Sequence, residues 1–308
     1  MILNKPDAIY AATKLIKYFE NFGRIDDYFR ARKIERVSNI PQSLPGFGLE
    51  DDMFTNYDMH PNDMNFSIVQ MQTKTFDSML EMVASFSPDN APGKEMKLIV
   101  KETNTNTVVG FIKLGSPLIN SKPRNDYLGD VPDLPIFNKR AIMGFNIVPV
   151  QPFGYNYLGG KLLASICCSH ETRRMLNAKY NTEFCLFETT SLYGKAKANT
   201  LSQYDGLKYW KRMGFTTGSV SFQPSRSVRN MIWVWLKKNH TRKYWEWHEA
   251  KRPNGQPLKR DHKNRSLNFT YSKLDIPKEY IRTEHQRGIY FTKLYENTNE
   301  FLCGKIED

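Results

Sequence analysis

Between residues 7 and 36 the apolar positions recur three and four apart. Ile9, Ala12, Leu15, Ile16 and Phe19, behind a capping Asp7, predict a helical segment that ends in the basic run Arg30-Ala31-Arg32-Lys33. Residues 38 to 66 lose that period and are rich in Pro, Gly, Asn and Asp, so they read as irregular. Phe76, Met79, Leu80 and Val83 share one face of a second helix, from about Thr75 to Phe86, which the run Ser87 to Gly93 breaks. Two β-type runs follow, Met96 to Lys101 and Val108 to Leu114, on either side of the polar turn Glu102-Thr103-Asn104-Thr105-Asn106; this is a hairpin pattern. Gly115 to Arg140, punctuated by Pro117, Pro123, Pro132 and Pro135, reads as a long loop.

The densest patterning comes next. The apolar run Ala141 to Val148 predicts a strand, Gln151 to Lys161 a glycine-studded turn, Leu162 to Ala178 a helix, and Phe184 to Phe187 a second strand. Gly206 to Met213 reads as a short helix. Phe215 to Phe222 and Met231 to Leu236 read as a strand pair split by Gln223-Pro224-Ser225-Arg226, and Gly288 to Phe291 as a last strand. No internal repeat is present. This order argues for a mixed α/β sheet. If Val148 ends a strand and Leu158 begins a helix, the intervening turn lies at the strand's carboxyl end, where ligands of α/β sheets bind. Gly154, Gly159 and Gly160 let the backbone approach a ligand closely. Free N–H groups and the helix dipole favour a pyrophosphate, and Lys161 adds a cation. The same residues also suit a tight strand-to-helix connection with no ligand.

Composition narrows the class. Of 308 residues 40% are hydrophobic and 13% aromatic, enough for a packed core and unlike a disordered chain. No run approaches eighteen apolar residues, and Met1 to Asp7 lacks the apolar core of a signal peptide. A soluble, cytoplasmic chain with no membrane partner is therefore expected. The four cysteines form no disulfide pattern. Cys167 and His170 would share a helix face, but two ligands do not make a metal site, so none is expected. The net charge of +12 favours an anionic partner. Part of the excess is local: Lys237, Lys238, Arg242, Lys243, Lys251, Arg252, Lys259 and Arg260 are interleaved with Trp233, Trp235, Tyr244, Trp245 and Trp247. Cations beside rings suit nucleic-acid contact. The plainer reading is a solvated basic loop with half-buried aromatic anchors.

The stretch from about 95 to 236 resembles the GNAT acyltransferase fold. In that family a hairpin leads to a central strand, a Q/R-x-x-G-x-G/A loop wraps the pyrophosphate of acyl-CoA, and a Tyr-x-x-x-Gly-Phe pattern follows the next strand. Gln151-Pro152-Phe153-Gly154-Tyr155-Asn156 occupies the loop position, with Gln151 and Gly154 matching and Asn156 in place of the final small residue. Lys211-Arg212-Met213-Gly214-Phe215 resembles the second signature, with Trp210 in the slot where many members carry an acidic tyrosine, and Gln203 lies near the position of a CoA-contacting asparagine. The resemblance implies an α/β, GNAT-like mixed central sheet flanked by helices over 95–236; the rest of the chain is then expected to be an N-terminal helical and irregular extension packing on that core (1–94) and a basic, aromatic-rich C-terminal extension (237–308). It also implies acyl-CoA or acetyl-CoA held by Val148, Val150, Gln151, Gly154, Tyr155, Asn156, Leu158, Gly159, Gly160 and Lys161.

A narrower resemblance rests on Gly110-Phe111-Ile112-Lys113-Leu114-Gly115-Ser116-Pro117, on Arg124-Asn125-Asp126-Tyr127-Leu128-Gly129, on Glu188-Thr189-Thr190 through Gly194, and on Arg287-Gly288-Ile289-Tyr290 with Leu294 to Thr298. These strings are similar to the Druantia DruA-type family of phage and defence-island proteins, itself similar to the GNAT-like Mom proteins that modify DNA bases. That implies a GNAT-like core devoted to nucleic-acid biology, encoded by a phage and working in the host cytoplasm.

Acyl transfer to an amine needs a base and a proton donor. Glu188, expected at the end of a strand beside the turn, is the first choice for base; a surface carboxylate is the alternative. Tyr193 and Tyr209, with Tyr204, are candidate acids. Two functions remain open. One is a transferase that uses an acyl-CoA-type donor on nucleic acid or a nucleic-acid-associated target. The other is a non-catalytic protein of the same fold that binds nucleic acid or a phage or host protein, which Asn156 and Trp210 favour.

Overall fold

The computed structural model describes residues 5–38, 53–71, 73–86, 93–192, 202–216, 218–249, 255 and 259–307. Through them the chain runs α1 (Pro6–Phe19), α2 (Ile25–Val37), β1 (Phe66–Gln70), α3 (Thr73–Val83), β2 (Glu95–Glu102), β3 (Thr107–Gly115), α4 (Lys122–Leu128), α5 (Leu134–Arg140), β4 (Ala141–Pro149), α6 (Phe153–Asn156) and α7 (Gly159–Cys167). It continues with α8 (His170–Tyr180), β5 (Leu186–Thr190), β6 (Lys211–Phe215), β7 (Ser219–Ser221), α9 (Arg226–Asn239), α10 (Thr241–Glu249), α11 (Lys259–Lys273), α12 (Lys278–Ile281), β8 (Arg282–Glu284), β9 (Gly288–Lys293) and α13 (Thr298–Leu302). Two compact units share the chain discontinuously: Met1–Glu35 with Gly218–His285, and Arg36–Thr217 with Gln286–Asp308. The boundaries suggested by sequence, at 94/95 and 236/237, fall inside these units rather than between them.

The larger unit is a mixed α/β structure built on a seven-stranded sheet in the order β1-β2-β3-β4-β5-β9-β6. Every neighbouring pair is antiparallel except β4 and β5, which run parallel. The hairpin β2–β3 forms where the alternation placed it. The edge strand β1 begins at Phe66, where the segment read as irregular ends, and runs on to Gln70. Phe76, Met79 and Leu80 of α3 and Leu163, Ala164 and Cys167 of α7 share one core with Leu98, Val100, Phe111 and Ile112. Burial on both faces is why β3 reads as a nearly continuous apolar run. A second cluster packs Leu128, Phe137 and Leu302 against Leu186 and Phe291.

Four sequence expectations are corrected. Residues 115–140 hold two helices rather than a loop: α4 ends at Gly129, whose φ of +79° suits glycine, and Asp133 caps α5 by accepting from the Ile136 N–H at 2.9 Å. The single helix over 162–178 is two, because the Ser169 hydroxyl accepts from the Thr172 N–H at 3.2 Å and starts α8 afresh. Gly206 to Met213 is a turn that leads into β6, since 211–215 pairs with β9. Met231 to Leu236 is helical, inside α9, whose cap is Ser225 accepting from the Val228 N–H at 3.3 Å.

The smaller unit buries Ala8, Ala11, Leu15 and Phe19 of α1. Its centre is aromatic: Phe19 meets Tyr271 at 6.0 Å and Tyr28 meets Phe222 at 4.8 Å between ring centroids. A two-stranded ribbon pairs β7 with β8, Ser221 opposite Arg282. Among the described residues no helix is long and apolar enough to cross a membrane.

Candidate functional site

The parallel pair β4–β5 is short. Ala141 to Gly144 lie opposite Leu186 to Thr189, and the ladder stops there. Strand β4 continues to Pro149 on β3 alone, with a bulge at Phe145 between the pairs Gly144–Leu114 and Asn146–Lys113. From Phe145 onward its other edge has no strand partner among the described residues. At the parting point the Thr189 hydroxyl donates to the Gly144 carbonyl at 2.9 Å, and the Tyr204 hydroxyl lies 3.5 Å from Thr189 Oγ1. Gln203 Nε2 donates to the Ile147 carbonyl at 2.9 Å, so the 203–206 turn leans on the open edge of β4.

Rings hold that turn in place. Tyr204 meets Trp210 at 5.2 Å and Tyr290 at 5.0 Å. Trp210 is 5% exposed, and its indole N–H donates to the Ala164 carbonyl of α7 at 2.9 Å. In this position tryptophan is a packing residue and carries no transferable proton. The Tyr290 hydroxyl donates to Asp205 Oδ2 at 3.1 Å, and the Ser202 N–H donates to the same oxygen at 2.8 Å. Burial pushes both Tyr204 and Tyr290 above the ordinary phenol value, so both keep their protons at neutral pH. Of the three candidate tyrosines, Tyr204 is thus the one described at the parting point.

The predicted turn occupies the carboxyl end of β4, and much of it binds itself. Val148 lies in β4, and the buried Val150 donates its N–H to the Val109 carbonyl at 2.9 Å. Gly154 N–H returns to Val150 O, and Asn156 N–H to Pro152 O. Gln151 folds beneath Gly154, while the Tyr155 ring is 82% exposed. Leu158, at φ +52°, caps α7 with no side-chain bond. A Cβ on Gly159 would stand 2.7 Å from the Phe153 ring, and one on Gly160 2.9 Å from Gln203 Oε1. Both glycines therefore serve close packing, and as the first residues of α7 they have no helical carbonyl four positions back. The Lys161 ammonium donates to the Asp205 carbonyl.

Glu188 is not at a strand end or on the surface. It lies within β5, opposite Met143 and Phe291, and is 4% exposed. Arg124 of α4, itself fully buried, meets its carboxylate at 3.3 Å and stacks 4.1 Å over Phe137. The guanidinium also donates to the Leu118 and Ile119 carbonyls at 2.6 and 2.9 Å, while the Leu118 N–H donates to Glu188 at 3.1 Å. Burial pushes the Glu188 carboxyl above its usual range, and Arg124 pulls against that. Sequence reasoning gave Arg124 no role; its signal lay in the Arg124-Asn125-Asp126-Tyr127 string. Tyr209 is not part of this group. Its ring is 63% exposed, and its carbonyl accepts from the Thr292 hydroxyl at 3.0 Å. Tyr193 lies outside the described residues.

Among the described residues no three His, Cys, Asp or Glu side chains gather as metal ligands do. Burial raises the thiol of Cys168 to about 11 and that of Cys185 to about 12, so neither is a thiolate at neutral pH.

Charge divides unequally between the units. The larger holds 22 lysines and arginines against 21 acidic residues; the smaller, half its length, holds 22 against 11. The described part of the basic aromatic stretch is helical rather than a loop. Lys237 and Lys238 close α9, Arg242 and Lys243 open α10, and all four are exposed. Lys238 pairs with Asp7 at 3.2 Å and Lys243 with Glu246 at 2.7 Å. The rings largely engage one another: Tyr244 stacks on His248 at 4.2 Å, and Trp247 meets Phe269 at 5.2 Å. Lys251 and Arg252 lie outside the described residues. Lys259 and Arg260 begin α11, and their side chains are outside the description.

A family model described as Druantia protein DruA matches residues 33–304. No curated protein matches the chain, and no solved structure does.

Proposed function

The chain belongs to the DruA family, and from that premise we propose that it is a GNAT-like transferase that modifies nucleic acid, or a target bound to it, with an acyl-CoA-type donor. The larger unit carries the donor site and the basic unit binds the acceptor. The observation that carries the reading is the parting of β4 from β5 at Gly144 and Thr189, with the 150–161 turn directly after it. The strand order, with β9 between β5 and β6, supports the GNAT-like assignment. An unpaired strand edge offers N–H and C=O groups to an amide-bearing chain such as pantetheine. Two features support such a group: the N–H groups of Gly159 and Gly160 in the first turn of α7 have no helical acceptor and suit a pyrophosphate, and the carbonyl at Ile147 accepts an amide N–H, that of Gln203, which a donor amide would replace. A bound donor supplies an activated acyl thioester. Tyr204 holds a proton at Oη beside the parting point, replacing in role the tyrosine absent at position 210.

The non-catalytic reading is favoured by two arrangements. Gln203 already fills the Ile147 carbonyl, and Glu188 is engaged with Arg124. Thermal unfolding with CoA and acetyl-CoA separates the two. A donor at a hundred times its dissociation constant stabilises by about 2.7 kcal/mol, or roughly 5–10 °C for a unit of this size. No shift with donor in the millimolar range removes the transferase reading and leaves the binding one.

A further inference from the structure

In the basic unit a groove of 630 Å³ opens between α11 and the β7–β8 ribbon. That size is within the range of ligand pockets, about 300–1,000 Å³. It follows from two neighbouring stripes on α11. Leu267 and Tyr271, four apart, are buried, and with Phe222 they give the groove an apolar, partly aromatic floor. Asn264 and Asn268, also four apart, are exposed and line the rim, joined by Gln223. At the other end Lys278 opens α12 and Arg282 begins β8, held across from Ser221 by the ribbon. Both cations are exposed, and among the described residues neither is in an ion pair. Asp275 is the one carboxylate among the lining residues.

We propose that this groove takes one unstacked nucleotide of a single-stranded nucleic acid, its base over the Phe222–Tyr271 floor and its phosphate against Lys278 and Arg282. The proposal rests on the nucleic-acid reading of the basic unit and names the site and the strand form. Three observations carry it. The groove lies in the unit with 22 basic residues against 11 acidic, so a polyanion is drawn to it. Side-chain amides with a carboxylate are the donor and acceptor set that reads a base edge. A floor made of ring and aliphatic side chains in a recess is reachable by a base only after it leaves its stack. The surface at Lys237, Lys238, Arg242 and Lys243 is different: it offers cations on convex helix ends, with its rings packed on one another.

The test is fluorescence anisotropy of the full chain with a labelled strand of ~12 nucleotides, a length that single-strand modules cover, and with the same sequence as a duplex. Titrations run from ~50 to ~200 mM salt. The expected result is tighter binding to the single strand. Asn264→Ala with Asn268→Ala should weaken it roughly tenfold with the salt slope unchanged, in keeping with about 1–3 kcal/mol per base contact. Lys278→Ala with Arg282→Ala removes the contact to that one phosphate and should reduce the slope of log affinity against log salt by about 0.7. All four residues are exposed, so the variants keep the wild-type thermal midpoint. If the wild type binds the strand and both variants bind it equally well, the groove is not the site, and the nucleic-acid reading stands. If the duplex binds more tightly than the strand, the nucleotide groove is overturned as well. If the wild type binds neither form at ~50 mM salt, the nucleic-acid reading itself falls.

Discussion

Arg124→Met should be among the most damaging single substitutions in the larger unit, and its cost should depend on pH. It leaves the Glu188 carboxylate buried beneath α4 with one N–H donor, that of Leu118, and takes the donors from the carbonyls of Leu118 and Ile119. Removing one partner of a buried ion pair costs about 3–5 kcal/mol. For a unit of roughly 200 residues, at about 2–4 °C per kcal/mol, that is a fall of ~6–20 °C in the thermal midpoint. Glu188 already titrates above the usual carboxylate range because of burial, and without the guanidinium its pKa rises further. A group whose folded pKa is raised contributes its stability below its unfolded value, near 4.3, and loses it as pH rises through the folded value. The variant should therefore lie closest to wild type near pH 5 and furthest from it near pH 8. Replacing both partners, Arg124→Met with Glu188→Leu, removes the stranded charge and should cost at least ~2 kcal/mol less than the two single changes together. Urea unfolding of the four proteins at both pH values measures this. Additive costs, or an Arg124→Met deficit equal at pH 5 and pH 8, would refute the charge-pairing argument.

Three further outcomes are expected. Trp210→Phe loses the indole bond to the Ala164 carbonyl and some ring volume, and should lower stability by about 1–3 kcal/mol in chemical denaturation; an unchanged midpoint contradicts its packing role. Gly110→Ala puts a methyl group into Leu163 of α7 and 3.0 Å from the Val148 carbonyl, and should cost about 1–3 kcal/mol by the same measurement. Burial holds His240 and His248 below the ordinary imidazole value, with Lys273 and Lys5 adding to the effect at His240. Their neutral forms contribute stability above an unfolded pKa near 6.5, lost as pH falls through the folded values. The helical ellipticity of α9 and α10 should thus melt earlier at pH 5.5 than at 7.5, and His248→Phe should lessen the difference.

The parts of the fold set by local pattern were legible. The β2–β3 hairpin carries its own turn, and β4 and α3 have unambiguous periods. What failed depended on distant partners. Met231-Ile232-Trp233-Val234-Trp235-Leu236 is rich in β-formers, yet Ile232, Trp235 and Leu236 are buried while Val234 is 70% exposed, a helical stripe started by the Ser225 cap. Residues 211–215 become a strand because β9, more than seventy residues later, supplies the ladder. The site was legible as a place, the turn after β4, but less so as chemistry. Glu188 looked accessible because its strand was expected to end at Phe187, and its partner Arg124, although part of a family-like string, lies 64 residues away in sequence. Tyr204 stood in the same tyrosine set as Tyr209; only the packing of its ring on Trp210 and Tyr290 separates a buried hydroxyl from an exposed one.

Strand β9 has a consequence in time. It is the last strand made but sits between β5 and β6, pairing with both. At synthesis rates of about 5–20 residues per second, β5 waits several seconds with one edge open, and β6 has no ladder at all until 288–293 emerge. The smaller unit waits likewise, since α1 emerges early and its partners on α9 and α11 come some two hundred residues later. A nascent chain of this protein therefore spends most of its synthesis with an open sheet edge and an unburied amphipathic helix. A chain stopped before 288 never closes the sheet, so shortened products should be aggregation-prone rather than partly active.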